Sequence, residues 1–528
     1  MSEILGLTRE ALNRARRSRD PRFDGKFFIA VLSTGIYCRT ICPVRMSVAV
    51  RFYATAAEAA EAGFRPCLRC RPEAAPGSPA WSGTSAVVRR ALRLIQDGAL
   101  DTGSVAELST HLGLGSRHLN RLLLDQVGAS PIAIAQTRRL HFAKQLLNET
   151  DLPMTEIAAA AGYRSVRRFN EALKTTYQRS PREIRKRSTR GIDSSDAITL
   201  QLSYRPPYDW SQLLEFLARR AIPGVERVSA QGYSRTLRTS SGHATIEVSP
   251  SEQAHALQMR VRGAAPADLF ELSSAARRVF DLSADPIQIS QAFRADELLG
   301  ARVSQHRGLR IPGVFDPFEC AVRAVLGQQV TLQAGCTLAA RLVARAGKSI
   351  EPTSEGLTHL FPAAKTLAEL DLRGLGLPIA RGEAIHALAR AVRDGVVRFN
   401  EPVEEVRRAL EKLPGVGPWT AQYVALRALA DPDAFMPSDL VLRRVAGAHG
   451  APLTARQLEA RAEAWRPWRG YAAMHLWATA NEQTPSRALG TRQRPSIVPF
   501  SRARTGIRSA NTVATAEPTA PTNTRRSA

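Results

Sequence analysis

The sequence predicts a multidomain α+β protein in which helical domains alternate with smaller mixed or β-rich parts. Its 528 residues are more than one hydrophobic core can organise. The hydrophobic periodicity changes along the chain from mixed to helical, then to alternating, and back to helical. Four of the six cysteines fall within one short early segment, which indicates a separate small module. We therefore expect a cysteine-rich module at 1–75, an all-α domain at 86–186, a β-rich subdomain at 198–285, a second all-α domain at 290–487, and a tail at 488–528.

The charge balance points to a polyanionic partner. Lysine and arginine number 73 against 48 acidic residues, a net charge of +25. Double-stranded nucleic acid is the usual partner of such a chain, whereas an acidic membrane surface is less favoured because no lipidation motif or basic amphipathic anchor is found. No apolar run is long enough for a membrane span, and the first residues lack the pattern of a signal peptide. The expected location is cytoplasmic and nucleoid-associated, without a membrane partner. The tail at 488–528 is basic, has few large apolar residues and is expected to be disordered.

The cysteine cluster predicts a metal site. Cys38 and Cys42 are spaced C-x3-C, and Cys67 and Cys70 are spaced C-x2-C. Two close pairs separated by a loop are typical of four thiolates around one tetrahedral Zn²⁺. The spacing alone leaves open that this zinc is purely structural.

The residues around the four cysteines carry a specific resemblance. The segments DGKFFIAVLSTGIYCRTICPVR and FYATAAEAAEAGFRPCLRC resemble the amino-terminal module of Ada-type methyl-response proteins. The resemblance implies that Cys38 accepts a methyl group from a methylphosphotriester in DNA. The chemistry is coherent, because a zinc-bound thiolate is ionised and nucleophilic, and its methylation makes the site less negative and raises DNA affinity. The resemblance also implies contacts with the DNA backbone from Thr34, Arg45 and Arg65.

Two helix-turn-helix patterns fill the first helical domain. They lie at 104–131 and 152–186, with Gly113 and Gly162 in their turns. The pair resembles the AraC-type DNA-binding domain, which implies that the second helix of each unit enters a major groove. The alternative is a helical packing domain with a solvated basic face. The residues expected to contact DNA are Arg117, His118, Arg121, Arg167 and Arg168. Promoter DNA is then an expected partner, and RNA polymerase a candidate one.

A helix-hairpin-helix pattern lies in LPGVGPWTAQYVALRALADPDAFMPSDLVLRR, at 413–444. Glycine is needed where backbone amides come close to an anion, so Gly415 and Gly417 are expected to contact a DNA phosphate. With Asp439 following the hairpin, this segment resembles the helix-hairpin-helix DNA glycosylases. A carboxylate at this position stabilises an oxocarbenium-like transition state. The alternative role of Asp439 is that of a simple helix N-cap.

The resemblance is closer still to AlkA-type 3-methyladenine glycosylases. It runs from YRPPYDWSQLLEFLARRAIPGVE through LRIPGVFDPFECAVRAVLGQQVT to AWRPWRGYAAMHLW, and implies that the β-rich subdomain is TBP-like. Trp419 stands where enzymes that also cut the backbone carry a lysine, so no Schiff base is expected and the reaction is simple hydrolysis without a cofactor. Gln329 stands where the family carries an apolar wedge that fills the gap left by a flipped nucleotide. The aromatic pocket implied for the alkylated base consists of Phe216, Trp419, Tyr423 and Trp477.

Taken together, these features predict an alkylation-response protein. It joins a monofunctional glycosylase for alkylated purines of the 3-methyladenine type to a zinc-thiolate methyl acceptor that switches sequence-specific DNA binding and transcription. The alternative is a transcription regulator with structural zinc and a catalytically silent glycosylase domain.

Overall fold

The structure is a computed structural model that describes residues 4, 6–44, 49–70, 72, 75–76, 86–185, 197–253, 255–447 and 451–483. Arg45 and the predicted tail at 488–528 lie outside these residues, as does most of the stretch between the first two predicted domains. Within the described residues, no helix has both the length and the apolar character needed to cross a bilayer.

The first part is a four-stranded sheet with two helices. Its elements are α1 (Arg9–Ser18), β1 (Phe28–Val31), β2 (Ile36–Cys38), β3 (Val50–Tyr53), α2 (Ala56–Glu61) and β4 (Arg65–Pro66). The strand order is β3-β1-β2-β4, with β1 antiparallel to β2 and β3, and β2 parallel to β4. The threonine hydroxyls of Thr8 and Thr55 cap the two helices, as expected of residues that compete with the backbone for hydrogen bonds.

The second part is entirely helical. Its elements are α3 (Ala86–Gln96), α4 (Ala99–Thr102), α5 (Val105–His111), α6 (Ser116–Val127), α7 (Pro131–Glu149), α8 (Met154–Ala160), α9 (Val166–Tyr177) and α10 (Pro181–Ile184). Helices α5–α6 and α8–α9 are the two predicted helix-turn-helix units, and α7 connects them. Gly113 and Gly162 have φ values of 69° and 79° in the two turns, a conformation that favours glycine.

The third part is a five-stranded antiparallel sheet covered by helices. It contains β5 (Ile198–Ser203), α11 (Trp210–Ala218), β6 (Glu226–Val228), β7 (Tyr233–Thr239), β8 (Gly242–Pro250), β9 (Ala256–Arg262) and α12 (Leu269–Val279). The strand order is β5-β9-β8-β7-β6. Alternate residues of the strands and one face of α12 share a buried apolar cluster, which explains the alternating pattern in the sequence.

The fourth part is almost wholly helical and holds the largest apolar cluster. It begins with α13 (Pro286–Phe293), α14 (Gly300–Gln305), α15 (Pro317–Leu326), α16 (Leu332–Ala346), β10 (Lys348–Ser349), β11 (His359–Leu360) and α17 (Ala364–Glu369). It continues with α18 (Ile379–Arg393), α19 (Val403–Glu411), α20 (Pro418–Ala428), α21 (Leu440–Ala446), α22 (Ala455–Ala462) and α23 (Arg469–Gln483). The two-residue strands β10 and β11 are a small departure from the predicted all-α composition.

Polar contacts join the cysteine-bearing first part to several later parts of the chain. The hydroxyl of Tyr37 lies 2.9 Å from His141 Nε2 of α7. The buried guanidinium of Arg205, between β5 and α11, donates to the carbonyl oxygens of Asp24 at 2.9 Å and Ser283 at 2.6 Å. Lys26 forms a salt bridge with Asp285 just before α13. The cysteine-bearing sheet is therefore packed on the rest of the chain through buried charged groups.

Candidate functional site

The four predicted zinc ligands form one compact cluster. Their sulfur atoms all lie within 4.8 Å of one another. Cys38 ends β2 and Cys67 directly follows β4, and the parallel register that pairs Tyr37 with Pro66 brings the two cysteine pairs together. Three of the thiols are buried and Cys42 is half-buried. This geometry fits one tetrahedral Zn²⁺ held by four thiolates.

Backbone hydrogen bonds distinguish the four sulfur atoms. The amide of Arg39 donates to Cys70 Sγ at 3.3 Å, and the amide of Arg69 donates to Cys67 Sγ at 3.4 Å. A backbone hydrogen bond from Val44 lowers the pKa of the Cys42 thiol, after the larger effect of Cys38. Among the described residues, no backbone amide donates to the sulfur of Cys38. Of the four sulfur atoms, that of Cys38 is thus the one to which no backbone amide of the described residues donates.

The electrostatics of the cluster call for a cation. Hydrogen bonds from Cys38, Cys42 and Cys70 hold the pKa of the Cys67 thiol well below its usual range. Hydrogen bonds with Cys38, Cys42 and Cys67 raise the pKa of the Cys70 thiol, and burial and the nearby charge of Cys38 raise it further. A dication removes this conflict and allows all four sulfurs to ionise.

Two of the three residues implied to contact the DNA backbone near the cysteines lie together. Arg65 donates to the Thr34 carbonyl oxygen at 3.5 Å and to Gln178 Oε1, just beyond α9, at 2.7 Å. Thr34 is exposed in the turn between β1 and β2. This edge of the cysteine-bearing sheet thus adjoins the end of the second recognition helix. Arg45 lies outside the described residues.

The polar residues predicted on the recognition helices point to solvent. Arg117, His118 and Arg121 are exposed on α6, and Arg167 and Arg168 are exposed on α9. The apolar residues Leu119, Leu123, Phe169 and Leu173 on the same helices are fully buried. Each helix therefore offers one charged face that no other described element covers.

Asp439 is held by three N–H donors. Its Oδ1 accepts from the Leu442 amide at 2.9 Å and from Trp477 Nε1 at 3.5 Å. Its Oδ2 accepts from Trp419 Nε1 at 3.0 Å. Three N–H donors from different segments therefore fix the orientation of this carboxylate. Asp439 is the N-cap of α21, which is the structural role that the sequence left open as its alternative function. Its carboxylate also accepts hydrogen bonds from the two indole rings named above.

The aromatic residues implied as a base pocket gather next to this carboxylate. Trp419 and Tyr423 stack, with ring centroids 5.2 Å apart and planes inclined by 9°. Tyr423 and Trp477 lie 6.4 Å apart at 59°. Phe216 is on the far side, and the guanidinium carbons of Arg220 and Arg427 lie 3.6 Å and 4.7 Å from its ring centroid. The Arg427 guanidinium also lies over the Tyr423 ring, 5.5 Å from its centroid, so both Phe216 and Tyr423 have an arginine against a ring face.

Several residues of the pocket were not predicted from the sequence. Arg427 is buried, donates to Tyr423 Oη at 2.7 Å and to the Gly313 carbonyl at 3.2 Å, and so fixes the tyrosine ring. A cavity between α11 and α23 has Phe216 and Trp477 in its wall, together with Gln212, Glu215 and His306. Gln212 carried the available signal, because it lies four positions before Phe216 on α11 and residues three and four apart on a helix share a face.

The hairpin after α19 is fixed by two side chains from elsewhere in the chain. Gly415 has φ 75°, and a Cβ added there would lie 2.7 Å from Ala384 Cβ of α18, so glycine is required. Gln328 Nε2 donates to the Gly415 carbonyl at 2.9 Å and to Thr420 Oγ1 at 3.0 Å. Among the described residues, no acceptor takes the amides of Gly415 and Gly417, which remain available to an anion.

The predicted wedge residue lies in the loop between α15 and α16. Gln329 is exposed and has φ 53°, a left-handed conformation that is uncommon for glutamine. The neighbouring Gln328 carbonyl accepts from Arg381 of α18 at 2.5 Å. The loop is therefore anchored to both the hairpin and α18, with Gln329 at its tip.

Four family models match successive parts of the chain. They are the metal binding domain of Ada at 11–73, a helix-turn-helix domain at 108–187, the AlkA N-terminal domain at 199–316, and the HhH-GPD superfamily of base excision DNA repair proteins at 322–470. These matches confirm the Ada-type and AlkA-type resemblances, the predicted fold class, and the single zinc site of four cysteines.

Curated relatives match the same parts. A probable bifunctional transcriptional activator/DNA repair enzyme AlkA of Mycobacterium tuberculosis is 43% identical over 478 residues, 89% of this chain and 96% of its own. The DNA-3-methyladenine glycosylase 2 of Escherichia coli is 35% identical over 288 residues, 53% of this chain and 98% of its own. The bifunctional transcriptional activator/DNA repair enzyme Ada of Escherichia coli is 36% identical over 145 residues, 27% of this chain and 40% of its own.

Proposed function

The chain belongs to the family of AlkA-type bifunctional transcriptional activators and DNA repair enzymes, and on that premise we propose two linked activities. The carboxyl-terminal half hydrolyses the N-glycosidic bond of 3- or 7-alkylated purines in double-stranded DNA. The amino-terminal half takes a methyl group from a DNA methylphosphotriester and thereby increases the binding of the helix-turn-helix units to promoter DNA. RNA polymerase is the proposed partner of that second activity, and the nucleoid its site of action.

The carboxylate of Asp439 carries the proposal for the glycosylase. As the C1′–N bond of the damaged nucleotide breaks, the sugar gains positive charge, which a nearby fixed carboxylate stabilises. The three N–H donors to Asp439 keep its carboxylate oriented. Water then adds to C1′ and gives up a proton, leaving an abasic site and the free base. Trp419 offers no amine, so no covalent adduct with the sugar forms and the strand stays uncut.

The aromatic pocket supports the choice of an alkylated purine. A 3- or 7-alkylated purine carries a positive charge, which makes it a good leaving group and attracts it to aromatic faces. The stacked pair Trp419–Tyr423 and the inclined ring of Trp477 offer such faces beside Asp439. Selection by stacking and charge requires few hydrogen bonds to the base.

The methyl acceptor is Cys38 in this proposal. When bound, Zn²⁺ keeps the four cysteines deprotonated at neutral pH. The Cys38 thiolate attacks the methyl carbon of the phosphotriester, an S–C bond forms, the C–O bond breaks, and the phosphodiester anion leaves. N–H donors withdraw charge from the other three sulfurs, so Cys38 keeps the greatest nucleophilicity. Methylation lowers the negative charge of the cluster by one unit and so reduces its repulsion of the DNA backbone.

The deciding experiment compares the full zinc-loaded chain with its Asp439→Asn variant on methylated duplex DNA. We expect wild type to release 3-methyladenine and Asp439→Asn to release at least about a hundredfold less, since a fixed charge at the developing cation is lost. DNA affinity should be equal in both. Asn retains an acceptor for the Leu442 amide, so the N-cap is preserved. Wild type without base release would leave the alternative, a regulator whose glycosylase domain only holds DNA.

The intact mass of the zinc-loaded chain tests the second activity. After incubation with DNA that contains methylphosphotriesters, we expect a gain of one methyl group, located on Cys38 by peptide mapping. The Cys38→Ser variant should gain none. A methyl group found on Cys42 instead would contradict the assignment of the acceptor, and no gain with zinc bound would make the zinc structural.

A further inference from the structure

Helix α3 packs on the first helix-turn-helix unit with its apolar side. Val88, Ala91 and Ile95 recur three and four positions apart, so they lie on one face of the helix, and all three are fully buried. They share an apolar cluster with Leu119 and Leu123 of α6, the recognition helix of that unit. The apolar face of α3 therefore points towards α6.

The opposite side of α3 is charged and contacts the glycosylase half of the chain. Its polar contacts include those of Arg90 Nη2 with Glu401 Oε2 at 2.8 Å, Arg93 Nη1 with the Leu429 carbonyl oxygen at 2.6 Å, and Asp97 Oδ1 with Arg278 Nη1 at 2.5 Å. Each of these three residues stands two positions after one of the buried apolar residues, and two positions on a helix correspond to a rotation of about 200°. The first helix-turn-helix unit and the glycosylase half thus lie on opposite sides of α3.

The helix-hairpin-helix turns the end remote from its hairpin towards α3. Glu401 lies two residues before α19 and Leu429 directly follows α20, whereas the hairpin with Gly415 and Gly417 joins the other ends of both helices. A donor to the carbonyl oxygen that ends a helix lies beyond that end, so Arg93 lies close to the line of the α20 axis. The 11 residues of α20 span about 16 Å. The hairpin amides are therefore about this far from α3, on the side away from α6.

The charged face of α6 points the other way. Arg117 and Arg121 are exposed and stand two positions before Leu119 and Leu123, which are fully buried. The same rotation of about 200° turns these arginines away from the apolar cluster and from α3. With about 9 Å between the axes of packed helices, the α6 face and the hairpin are roughly 35 Å apart. The two surfaces point in opposite directions.

One short duplex cannot contact both surfaces. DNA bends smoothly only over lengths comparable to its persistence length of about 150 base pairs. A segment that lies along the hairpin therefore leaves the α6 face open on the far side of the molecule. Both surfaces carry groups that bind phosphates, since α6 exposes arginines and the hairpin offers backbone amides.

We propose that one chain binds two DNA segments at once, an undamaged segment on the α6 face and a damaged one at the hairpin. The partner of the α6 face during base release is thus a second double-stranded segment, bound mainly through its phosphates. A chain held at one place on DNA then acts on lesions in another segment that comes near. The inference rests on the proposed DNA-binding roles of the two halves and adds that they hold separate segments simultaneously.

The test measures how many duplexes one chain holds. The full zinc-loaded chain is saturated at low salt with a duplex of about two helical turns that contains an abasic-site analogue and carries one dye. An undamaged duplex of the same length with a second dye is then added in excess. In sedimentation velocity we expect a complex that contains the chain, the abasic-site duplex and the undamaged duplex in equal amounts.

Arg121→Glu identifies the surface that holds the second duplex. It should weaken capture of the undamaged duplex about tenfold, because an attraction to phosphate becomes a repulsion. Arg238→Glu is the matched control, since Arg238 is also exposed but lies on β7, in the β-rich part. It changes the net charge of the chain equally and should leave capture of the second duplex within about twofold of wild type.

The outcomes are distinct from those that test the proposed activities. Displacement of the abasic-site duplex by the undamaged one, with never more than one duplex per chain, would overturn the binding of two segments. An effect of Arg121→Glu no larger than that of Arg238→Glu would overturn the assignment of the second duplex to α6. Absence of base release from wild type would refute the glycosylase and leave the number of bound duplexes unchanged, because that number is measured without catalysis.

Discussion

Trp419 Nε1 donates a hydrogen bond to Asp439 Oδ2 at 3.0 Å. The residue that the resemblance places at the position of a catalytic lysine therefore contacts the carboxylate directly. Because the same indole stacks on Tyr423, one side chain links the carboxylate to the aromatic pocket. A tryptophan here both removes the amine needed for strand cleavage and orients the group proposed to stabilise the sugar cation.

The first prediction concerns this hydrogen bond. Trp419→Phe keeps an aromatic face for Tyr423 but removes the N–H donor to Asp439. We expect the single-turnover rate of base release to fall roughly tenfold to a hundredfold, the value of one hydrogen bond to a charged group. Affinity for undamaged duplex DNA should not change, and a filter-binding assay at fixed salt checks this.

Trp210→Phe is the control for the loss of an indole. Trp210 Nε1 is buried and has no hydrogen-bond partner among the described residues, so its removal breaks no hydrogen bond. We expect base release by this variant to stay within about twofold of wild type. If Trp419→Phe and Trp210→Phe slowed base release equally, the loss of rate would result from altered packing and not from the lost hydrogen bond to Asp439.

Local motifs made much of this protein predictable. Three features lie within short segments whose residue spacing reflects the chemistry: the zinc ligands, the hairpin glycines and Asp439. The residues that follow Asp439 also predict that it is a helix N-cap. By contrast, Gln328 acts on Gly415, 87 residues away, and Arg427 acts on Gly313, 114 residues away. A single sequence carries no signal for such pairs, because their partners are backbone carbonyls that any residue supplies.

The second prediction concerns removal of zinc. Among the described residues, the cysteine-bearing sheet has two small apolar clusters besides the one that contains the cysteines, so much of its stability depends on the metal. We expect a strong chelator to remove one zinc per chain, to abolish methyl uptake and to increase amide exchange in β1 and β2. Base release should continue, because the three residues that donate to Asp439 belong to another apolar cluster.

Cys336→Ser serves as the control for this measurement. Cys336 lies in α16, outside the thiol cluster, and its substitution should leave one zinc per chain. Loss of base release together with zinc would show that the two halves do not function independently.

The third prediction concerns Arg205, whose guanidinium is fully buried between the cysteine-bearing sheet and the β-rich part. Burial lowers the pKa of Arg205 to about 10, yet several carbonyl oxygens compensate for the loss of water. Arg205→Met leaves these carbonyls without a donor, and we expect the free energy of unfolding to fall by about 3 kcal/mol. Urea titration of the full chain measures the change. Arg373→Met is the control, since Arg373 is 90% exposed and, among the described residues, pairs with nearby Asp371, and its urea midpoint should match that of wild type.

The fourth prediction is a pH dependence of stability that originates at Asp281. Burial raises the pKa of this carboxyl to about 6, although Arg310 and hydrogen bonds from Tyr471 Oη and the Ile311 amide act in the opposite direction. In the unfolded chain the pKa is near the ordinary value of about 3.9.

The sign of the effect follows from the order in which the two states lose the proton. Between about pH 4 and pH 6 the folded chain holds more protons at Asp281 than the unfolded chain does, so rising pH favours unfolding in this window. The contribution of Asp281 to the free energy of unfolding is thus most favourable below about pH 4. As the pH rises through about 6, this contribution falls by up to about 3 kcal/mol.

Asp281→Asn tests this directly. Asparagine cannot ionise but still offers an oxygen to Tyr471, which belongs to the helix that also carries Trp477. We expect the difference in unfolding free energy between variant and wild type to shift in favour of the variant as the pH rises from about 4 to about 7. His475 is buried with a pKa lowered to about 3, so it destabilises the folded state as pH falls below about 6.5 and acts equally in both proteins. A difference that stays constant across this pH range would show that Asp281 is already ionised in the folded protein.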